Sequence, residues 1–332
     1  MRSCEKWYLW CMSASIYRYF LVCLTAVLLT QCGPEVLDVE LRRVLEHDGS
    51  WHDISLMADG VGYAIGGDTW QRGDLAMTND FGESWTVQSI TDKGMYGLDI
   101  SGTEKLAVGI DGQILSSGNG GDWRKWRTPF WNILLDLDVH PTAKYAVAVG
   151  GQRFKKGVIK TFRTNDFSVI HFDTLDKGLA TVIHLGDDLW IAAGFGVVLR
   201  TENGGADWDI NYPKEAYFTC LYVGDGDFVW MGSQYGGLWR SDDEGKTWSE
   251  MRKAQTAFSS ISFRDITQDD QGVLWLAGDR GTLAYSTNDG EDLNYLKIPE
   301  AYDIRALSIV ERHIILATRS GEILSVTYPE EL

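Results

Sequence analysis

Short apolar runs separated by turn residues recur along most of the chain. In two examples, the apolar runs 229–232 and 274–278 are each followed by a Gly-containing turn and a second run, at 237–240 and 282–285. Runs of about four to eight residues bounded by Gly and Asp are typical of half-buried β-strands. The pattern therefore predicts an all-β protein built from hairpins.

An eight-residue motif follows these hairpins. Its clearest copy, at 241–248, reads Ser-Asp-Asp-Glu-Gly-Lys-Thr-Trp. The first residues of the copies are Thr78, Ser116, Thr164, Thr201, Ser241 and Ser286, so successive copies lie 38, 48, 37, 40 and 45 residues apart. Periods of roughly 40 to 50 residues made of short strands indicate the blades of a β-propeller.

The residues of this motif suit a turn. Asp or Asn at the third position accepts hydrogen bonds from its own turn, Gly at the fifth supplies a positive φ, and the closing Trp packs back over the hairpin. We interpret the motif as a structural lock between the third and fourth strands of a blade; the alternative is that its carboxylates serve catalysis or metal binding. The residues assigned this structural role are Asp80, Gly82, Trp85, Trp123, Asp166, Asn203, Gly205, Trp208, Asp243, Gly245, Trp248, Asn288 and Gly290.

The strand pattern predicts seven blades in one domain over residues 38–332. Six complete blades are expected at 51–90, 96–127, 133–173, 180–212, 217–252 and 261–298. The C-terminal segment 304–328 offers only three strands, so the strand near 38–45 is expected to supply the fourth. This pairing would close the ring without an exposed edge. Blade three, with a degenerate motif and the insertion 152–156, is expected to be the least regular.

The motif resembles the Asp-box of bacterial neuraminidase (BNR) repeats. The array over residues 38–332 resembles the seven-bladed propellers of the photosystem II stability/assembly-factor-like family. This resemblance rests on the repeat pattern and implies the fold more strongly than a function. It implies a propeller that binds a protein or peptide partner.

Composition excludes some classes of partner. The chain has 332 residues, a hydrophobic share of 44% with 14 Trp, and a formal net charge of −17. This hydrophobic content suffices for a packed core. The negative charge argues against nucleic acid as a partner, and equally against adhesion to anionic lipid, since both need a basic surface.

The first 31 residues differ from the rest. Basic residues precede an apolar run at 20–29, which is too short to span a bilayer comfortably and is typical of a signal peptide. The ending Leu29-Thr30-Gln31-Cys32 resembles a bacterial lipobox, although Gln31 departs from the small residue usual before the cysteine. We therefore predict export to the bacterial cell envelope with a lipid anchor at Cys32, followed by a linker over 32–37. The alternatives are an ordinary signal peptide or a start codon that lengthens the basic region.

Candidate catalytic and metal-binding patterns are scarce. None of the six His residues forms a pair at metal-ligand spacing, and the sequence has no Cys-x-x-Cys. Cys220 lies in an apolar strand and is expected to act as a small buried hydrophobe. We therefore expect no metal and no cofactor.

A sialidase is the main enzymatic alternative, since those enzymes also carry Asp-boxes on a propeller. The Arg-Ile-Pro segment expected before the first motif is absent, and the one Ile-Pro, at Ile298, follows a lysine near the end of the chain. Sialidases also have six blades. Asp-box hydrolases of the xyloglucanase type pair two propellers across a cleft, and this chain has one. We therefore expect a protein that is not an enzyme.

The remaining candidate is a binding face. Loops between the second and third strands of a blade, and loops between successive blades, share one face of a propeller. Arg and aromatic residues in such loops are the types enriched at binding hot spots. The candidate residues are Trp70, Arg72, Tyr96, Trp131, Arg153, Lys155, Lys156, Tyr217, Tyr235, Phe258, Arg280, Tyr302 and Arg319. The alternative for each aromatic is that it wedges two blades together.

These observations predict an envelope protein that captures a protein or peptide on this loop face. Binding or cleavage of carbohydrate at the same face is the alternative, because aromatic side chains also stack on sugar rings. A purely structural part of a larger envelope complex is a third possibility.

Overall fold

The computed structural model describes residues 36–118, 122–129, 131–152, 154–224, 226, 228–254 and 261–327. The predicted signal peptide and the lipidation site Cys32 lie outside these residues and stay predictions. Two candidate binding residues, Arg153 and Phe258, also lie outside them.

The described chain forms seven four-stranded antiparallel sheets, one of which gains a fifth, two-residue strand. The strands of the first three blades are β3 (Ser50–Leu56), β4 (Gly62–Asp68), β5 (Arg72–Thr78), β6 (Thr86–Thr91), β7 (Met95–Ser101), β8 (Glu104–Gly109), β9 (Gln113–Ser117), β10 (Arg124–Arg127), β11 (Leu134–Val139), β12 (Tyr145–Gln152), β13 (Lys156–Arg163) and β14 (Val169–Leu175). A short 3-10 turn, Ile110–Gly112, joins β8 to β9.

The remaining blades follow the same order. Their strands are β15 (Leu179–Gly186), β16 (Leu189–Gly194), β17 (Val198–Thr201), β18 (Asp209–Asn211), β19 (Phe218–Val223), β20 (Val229–Ser233), β21 (Leu238–Ser241), β22 (Ser249–Arg252), β23 (Phe263–Gln268), β24 (Leu274–Gly278), β25 (Thr282–Ser286), β26 (Asn294–Lys297), β27 (Ile304–Val310), β28 (His313–Thr318) and β29 (Glu322–Thr327). The prediction of an all-β, seven-bladed propeller is confirmed.

Blade seven closes the ring as the sequence predicted. Its outer strand β2 (Glu40–Glu46) pairs antiparallel with β29, from Glu40 opposite Thr327 to Glu46 opposite Glu322. The short strand β1 (Val36–Leu37) lies at the outer edge of blade six, beside β26. The sheet edges that a repeat array would leave at its two ends are thereby paired.

The hydrophobic core lies between the blades. Buried side chains form seven clusters, and each cluster draws from two neighbouring blades. Between blades six and seven, for example, Trp275 and Leu283 pack with Leu307 and Leu316. Successive side chains of a strand pack against different neighbours because they point to opposite faces of the blade: in β12, Ala146 and Ala148 face blade two, and Val147 and Val149 face blade four. The blades are therefore stabilised by contact with one another.

The motif forms a tight turn with internal hydrogen bonds. In blade five, Asp243 accepts bonds from the Thr247 backbone N–H and hydroxyl at 2.8 and 2.7 Å, and Ser241 Oγ accepts the Gly245 N–H at 2.8 Å. Gly245 has a φ of 81°, and Glu244 before it also has a positive φ, of 58°. Turns at Asp80, Asn203 and Asn288 repeat the two bonds from backbone N–H groups.

The motif also joins blades, which the sequence interpretation of a self-contained lock did not anticipate. A Cβ added to Gly245 would lie 2.1 Å from Cδ1 of Ile191, which belongs to the preceding blade. The motif residues Trp85, Trp208 and Trp248 likewise pack against clusters that include the preceding blade. Each motif is therefore a contact surface toward its neighbour as well as a turn.

Blade three has a long regular second hairpin, and a register shift between Thr161 and Phe162 where β13 pairs with β14. Its strands β12 and β13 pair without interruption from Tyr145 opposite Arg163 to Gln152 opposite Lys156. The predicted insertion is thus an extension of this hairpin, and Lys156 lies in a strand. The degenerate motif keeps a turn in which Asp166 accepts the Ser168 N–H at 3.0 Å.

Candidate binding face

Backbone hydrogen bonds show that the two groups of loops lie on one face. In blade one, Gly94, which leads to the next blade, donates to Thr69 O in the loop between the second and third strands. Gly196 donates to Ala216 O in blade four, and Gly281 donates to Tyr302 O in blade six, in the same way. We call this loop-bearing side the upper face. The motif turns lie on the opposite side.

All seven inner strands begin at the upper face with the same irregularity. Each has a β-bulge after its first buried residue, as between Trp51 and Asp53 or between Phe263 and Asp265. A bulge leaves one residue unpaired and re-aims the side chains beside it. The bulged residues are His52, Tyr96, Leu135, Ala180, Thr219, Arg264 and Arg305, and all of them line the central channel.

Cationic side chains gather at the mouth of this channel. Arg264 forms a bidentate pair with Asp279, with distances of 2.9 and 2.6 Å, while Arg305 approaches the same carboxylate only to 3.6 Å. Burial, together with the nearby Arg264, lowers the pKa of Arg305 to about 10, and Arg319 adds to this effect. Asp303 also acts on Arg305, so three arginines against two carboxylates leave one unbalanced positive charge at the mouth between blades six and seven.

His52 and Tyr96 continue the mouth at blades one and two. Their rings stack with centroids 4.4 Å apart, and the Tyr96 hydroxyl lies 3.1 Å from Thr69 Oγ1. Burial, reinforced by the charges of Arg305 and Arg319, lowers the pKa of His52 to about 3. His52 is therefore neutral at physiological pH.

A layer of aspartates follows one residue deeper. Asp53, Asp136 and Asp265 each accept a backbone N–H from the inner strand of the next blade, at 2.7, 2.9 and 2.8 Å. Burial raises the pKa of Asp136 to about 6 and that of Asp265 to about 7, and it raises that of Asp53 well above its usual value. Repulsion from a neighbouring carboxylate adds to each pKa shift: Asp265 and Asp136 act on Asp53, Asp99 acts on Asp136, and Asp136 acts on Asp265.

Exposed aromatic side chains surround the mouth on the upper face. Of the predicted binding residues, Trp70, Trp131 and Tyr235 expose 59, 75 and 42% of their surface. Phe154 exposes 46% and packs against Phe195 and Tyr217, with ring centroids 5.0 and 5.6 Å away. Large apolar side chains left in water are common at sites that bind another molecule.

Other predicted binding residues lie on this face in less accessible settings. Arg72 is ion-paired with Asp48 and Asp74, and Arg280 is ion-paired with Glu300. Tyr217 is buried, and Tyr302 packs against the core between blades six and seven. The exposed Lys155 and Lys156 lie where blade three turns at the upper face, and Arg319 is exposed beside the mouth.

Sequence reasoning missed the arginines of the channel wall. Arg264 and Arg305 lie in apolar strands, and the prediction considered only loops. A signal for them exists, because each follows a large apolar residue at the start of an inner strand, Phe263 and Ile304. The same position holds His52 in blade one.

The chemistry available on this face is recognition by charge, hydrogen bonds and aromatic contact. Within the described residues, no three His, Cys, Asp or Glu side chains are grouped so that they could hold a metal ion. Cys220 lies in the channel wall, where burial raises the pKa of its thiol far above the usual value, so it is a poor nucleophile. In the described part of the chain, no helix has the length and apolar character needed to cross a membrane.

The fold is similar to solved propellers of diverse function. A structure described as YCF48 bound to D1 peptide has a TM-score of 0.68 at 16% identity, over 90% of this chain and 99% of that one. U3-55K has a TM-score of 0.68 at 11% identity, over 89% of this chain and 100% of that one. A catalytically inactive virginiamycin B lyase from Staphylococcus aureus with quinupristin has a TM-score of 0.69 at 15% identity, over 88% of this chain and 100% of that one. At these identities the likeness shows the fold alone.

No protein-family model matches the chain, and no curated protein matches it.

Proposed function

We propose that this protein is a non-catalytic propeller that captures a peptide or protein segment on its upper face. The observation that carries the proposal is the exposure of Trp70, Trp131 and Tyr235 around a channel mouth with excess positive charge. Aromatic and Arg residues are the most frequent hot-spot types in protein interfaces. The neighbour named as YCF48 bound to D1 peptide shares the fold and holds a peptide, which supports this class of partner.

The charge pattern favours an acidic or carboxylate-bearing segment as the partner. The protein as a whole has a formal charge of −17, so a partner with many anionic groups would be repelled by most of its surface. The mouth offers an exception, because Arg264, Arg305 and Arg319 meet there. A short extended segment with one or two carboxylates, flanked by apolar side chains, fits this combination.

We further propose that the protein works in a bacterial cell envelope, anchored through Cys32. The sequence of residues 20–32 supports this placement. Metabolic labelling with a lipid precursor tests it: the wild-type chain takes up the label, and Cys32→Ser does not. Equal labelling of both chains would contradict the anchor.

Panning a display library of random peptides against the purified propeller tests the proposed partner class. Peptides that combine a carboxylate with apolar residues are expected to be enriched. Replacing Trp70, Trp131 and Tyr235 together by Ala should weaken their binding by about 100-fold or more, since interface hot spots contribute about 2 kcal/mol or more each. The melting temperature should change little, because these side chains are exposed.

The matched control removes exposed apolar side chains elsewhere. Trp126 and Ile210 lie on outer strands and expose 40 and 49% of their surface. Replacing both by Ala should leave peptide affinity at the wild-type value. No enriched peptide, combined with binding on a glycan array that the triple variant loses, would replace this proposal with carbohydrate binding at the same face.

A further inference from the structure

The central channel contains a cavity that peptide capture on the rim does not need. Its volume is about 430 Å³, and inner strands from all seven blades line it. Cavities of this size accommodate small molecules. The channel walls are charged, and the two signs of charge are separated along the axis.

The upper layer, formed by Arg264 and Arg305 at the channel mouth, contains a cation that is not fully paired. Arg264 takes both oxygens of Asp279, so Arg305 is left 3.6 Å from the nearer one. The Nε of Arg305 is buried and has no hydrogen-bond partner among the described residues. A buried guanidinium without full pairing is costly, and an added anion would complete its hydrogen bonds.

The lower layer, formed by the aspartates one residue deeper in the inner strands, contains carboxylates without a paired cation in the described chain. No ion pair joins Asp53, Asp136 or Asp265 to a cation among the described residues; they accept backbone N–H groups, and Asp136 also accepts a bond from the Thr181 side chain. Each carboxylate oxygen keeps a second lone pair for another donor. A cation placed between these carboxylates would relieve their mutual repulsion.

The arrangement of the two layers limits which charges a ligand can carry. Arg264 and Asp265 are adjacent in the chain, and both face the cavity because of the bulge between Phe263 and Asp265. The wall of one cavity therefore carries both a cation and a carboxylate from adjacent residues of one strand. A ligand with a single charge would compensate one layer and leave the other.

We propose that the channel binds a free α-amino acid, or a ligand of the same zwitterionic class. Its carboxylate contacts Arg305, and its ammonium group contacts Asp265, which follows Arg264 in the same strand. This site shares Arg305 with the proposed peptide site but uses none of the aromatic residues of the rim, so the triple aromatic variant should lose peptide binding and keep amino-acid binding.

Isothermal titration calorimetry with three probes tests the proposal on the wild-type protein. The probes are the zwitterion L-alanine, with the other neutral α-amino acids tested in turn, and its two halves, acetate and methylammonium, at equal ionic strength. At least one neutral amino acid should bind at least about tenfold more tightly than either half, because only it completes hydrogen bonds in both layers. Equal binding of acetate, or no binding by any amino acid, would overturn the proposal.

Proton release gives a second readout that a purely structural role of these residues would not produce. The ammonium group should lower the pKa of Asp265, which shares the cavity wall with Asp53, Asp99, Asp136, Asp138 and His52, so binding near pH 6.5 should release protons to the buffer. The apparent binding enthalpy should then differ between buffers with different ionisation enthalpies. Identical enthalpies in all buffers would place the ammonium group away from these carboxylates and contradict the assignment.

Two variants locate the two ends of the ligand. Arg305→Gln and Asp265→Asn should each weaken amino-acid binding by about tenfold, the loss expected for one charge-assisted hydrogen bond. Arg124→Gln, on the exposed outer strand of blade two, should leave binding unchanged. The comparison of probes needs no variant, so the proposal stays testable if a variant fails to fold. Wild-type affinity in a folded Arg305→Gln protein would overturn it.

Discussion

Single aspartates link neighbouring blades at the channel wall. Asp53 accepts the N–H of Ile54 in its own strand at 2.8 Å and that of Leu98 in the next blade at 2.7 Å. Asp265 repeats this arrangement with Ile266 and Leu307. Hydrogen bonds to a charged acceptor are stronger than those between neutral groups. Each such residue therefore stabilises the contact between two blades, while its own burial disfavours its charged form.

Because burial disfavours the charged form of these aspartates, we expect the propeller to be more stable at mildly acidic pH. The pKa of Asp265 is raised to about 7 and that of Asp136 to about 6, so between the unfolded and folded pKa values the native state binds more protons. Their contribution to the free energy of unfolding is greatest below the unfolded pKa and is lost as pH rises through the folded values. Urea unfolding at several pH values should show stability falling from pH 5 to pH 8.

Asp265→Asn should reduce this pH dependence, since the amide does not titrate. The variant loses one accepted backbone bond and should be less stable at pH 5 by about 1 to 3 kcal/mol. Its curve of stability against pH should be flatter than that of the wild type. Parallel curves would mean that Asp265 titrates equally in the folded and unfolded chains.

At the scale of elements, the repeated motif combines a turn with a contact between blades. The internal bonds of Asp243 with Thr247 fix the turn, and Gly245 lies against Ile191 of the preceding blade. A side chain at Gly245 would meet two obstacles, a φ of 81° and the Ile191 side chain. The motif glycine recurs along the chain because each such turn contacts the blade before it.

Gly245→Ala should therefore destabilise the protein more than the same change at an open turn. Gly102 is the matched control: its φ is 59°, and an added Cβ would meet nothing within 4 Å. Forcing an extra methyl group into a packed interface costs about 1 to 3 kcal/mol beyond the strain of the positive φ. Thermal unfolding of both variants measures this difference. Equal losses of stability would show that the motif acts as a turn alone.

Much of the element pattern could be predicted from the sequence, because it depends on local residues. The motif at 241–248 contains its own turn chemistry, and its repeats gave the blade number and the pairing of β2 with β29. The bulges could not be predicted, since they depend on how the inner strands meet around the ring. Lys160 shows the same limit: it is fully buried in β13 and donates to Thr128 Oγ1 at 2.8 Å, a partner 32 residues away.

The candidate site could be predicted only in part, because several of its contacts form only when the chain folds. Loop residues such as Trp70, Trp131 and Tyr235 are recognisable because the repeat pattern assigns them to loops. Arg72 pairs with Asp74 in its own strand and with Asp48 from the loop before β3, and the contact with Asp48 forms only in the folded blade. The cluster of Arg264 with Arg305 likewise forms only when blades six and seven meet.

At the scale of the whole molecule, stability depends on closing the ring. Each blade buries its faces against two neighbours, and blade seven is completed by residues from near the other end of the described chain. In β2, Leu41 and Leu45 pack against the buried clusters on either side of blade seven, and Val44 packs with Leu45. Without this strand, β29 would present an unpaired edge.

Removing β2 should therefore destabilise the whole propeller. A chain that begins at His47 loses the burial of Leu41, Val44 and Leu45, at about 1.5 to 3 kcal/mol for each fully buried side chain and less for these partly buried ones, together with its ladder bonds. Its midpoint of urea unfolding should fall well below that of a chain that begins at Asp38. Coincident unfolding curves would show that the ring is stable with an open seventh blade.

Site-specific photo-crosslinking in intact cells that produce the protein measures capture of a segment on the upper face. A photoreactive phenylalanine analogue replaces Trp131 on the upper face in one protein and Trp126 on an outer strand in another. We expect position 131 to give a discrete crosslinked protein, with the crosslink in a short segment that bears a carboxylate. Position 126 should give no crosslinked protein. Adducts from position 126 alone, or the same adducts from both positions, would contradict capture on the upper face.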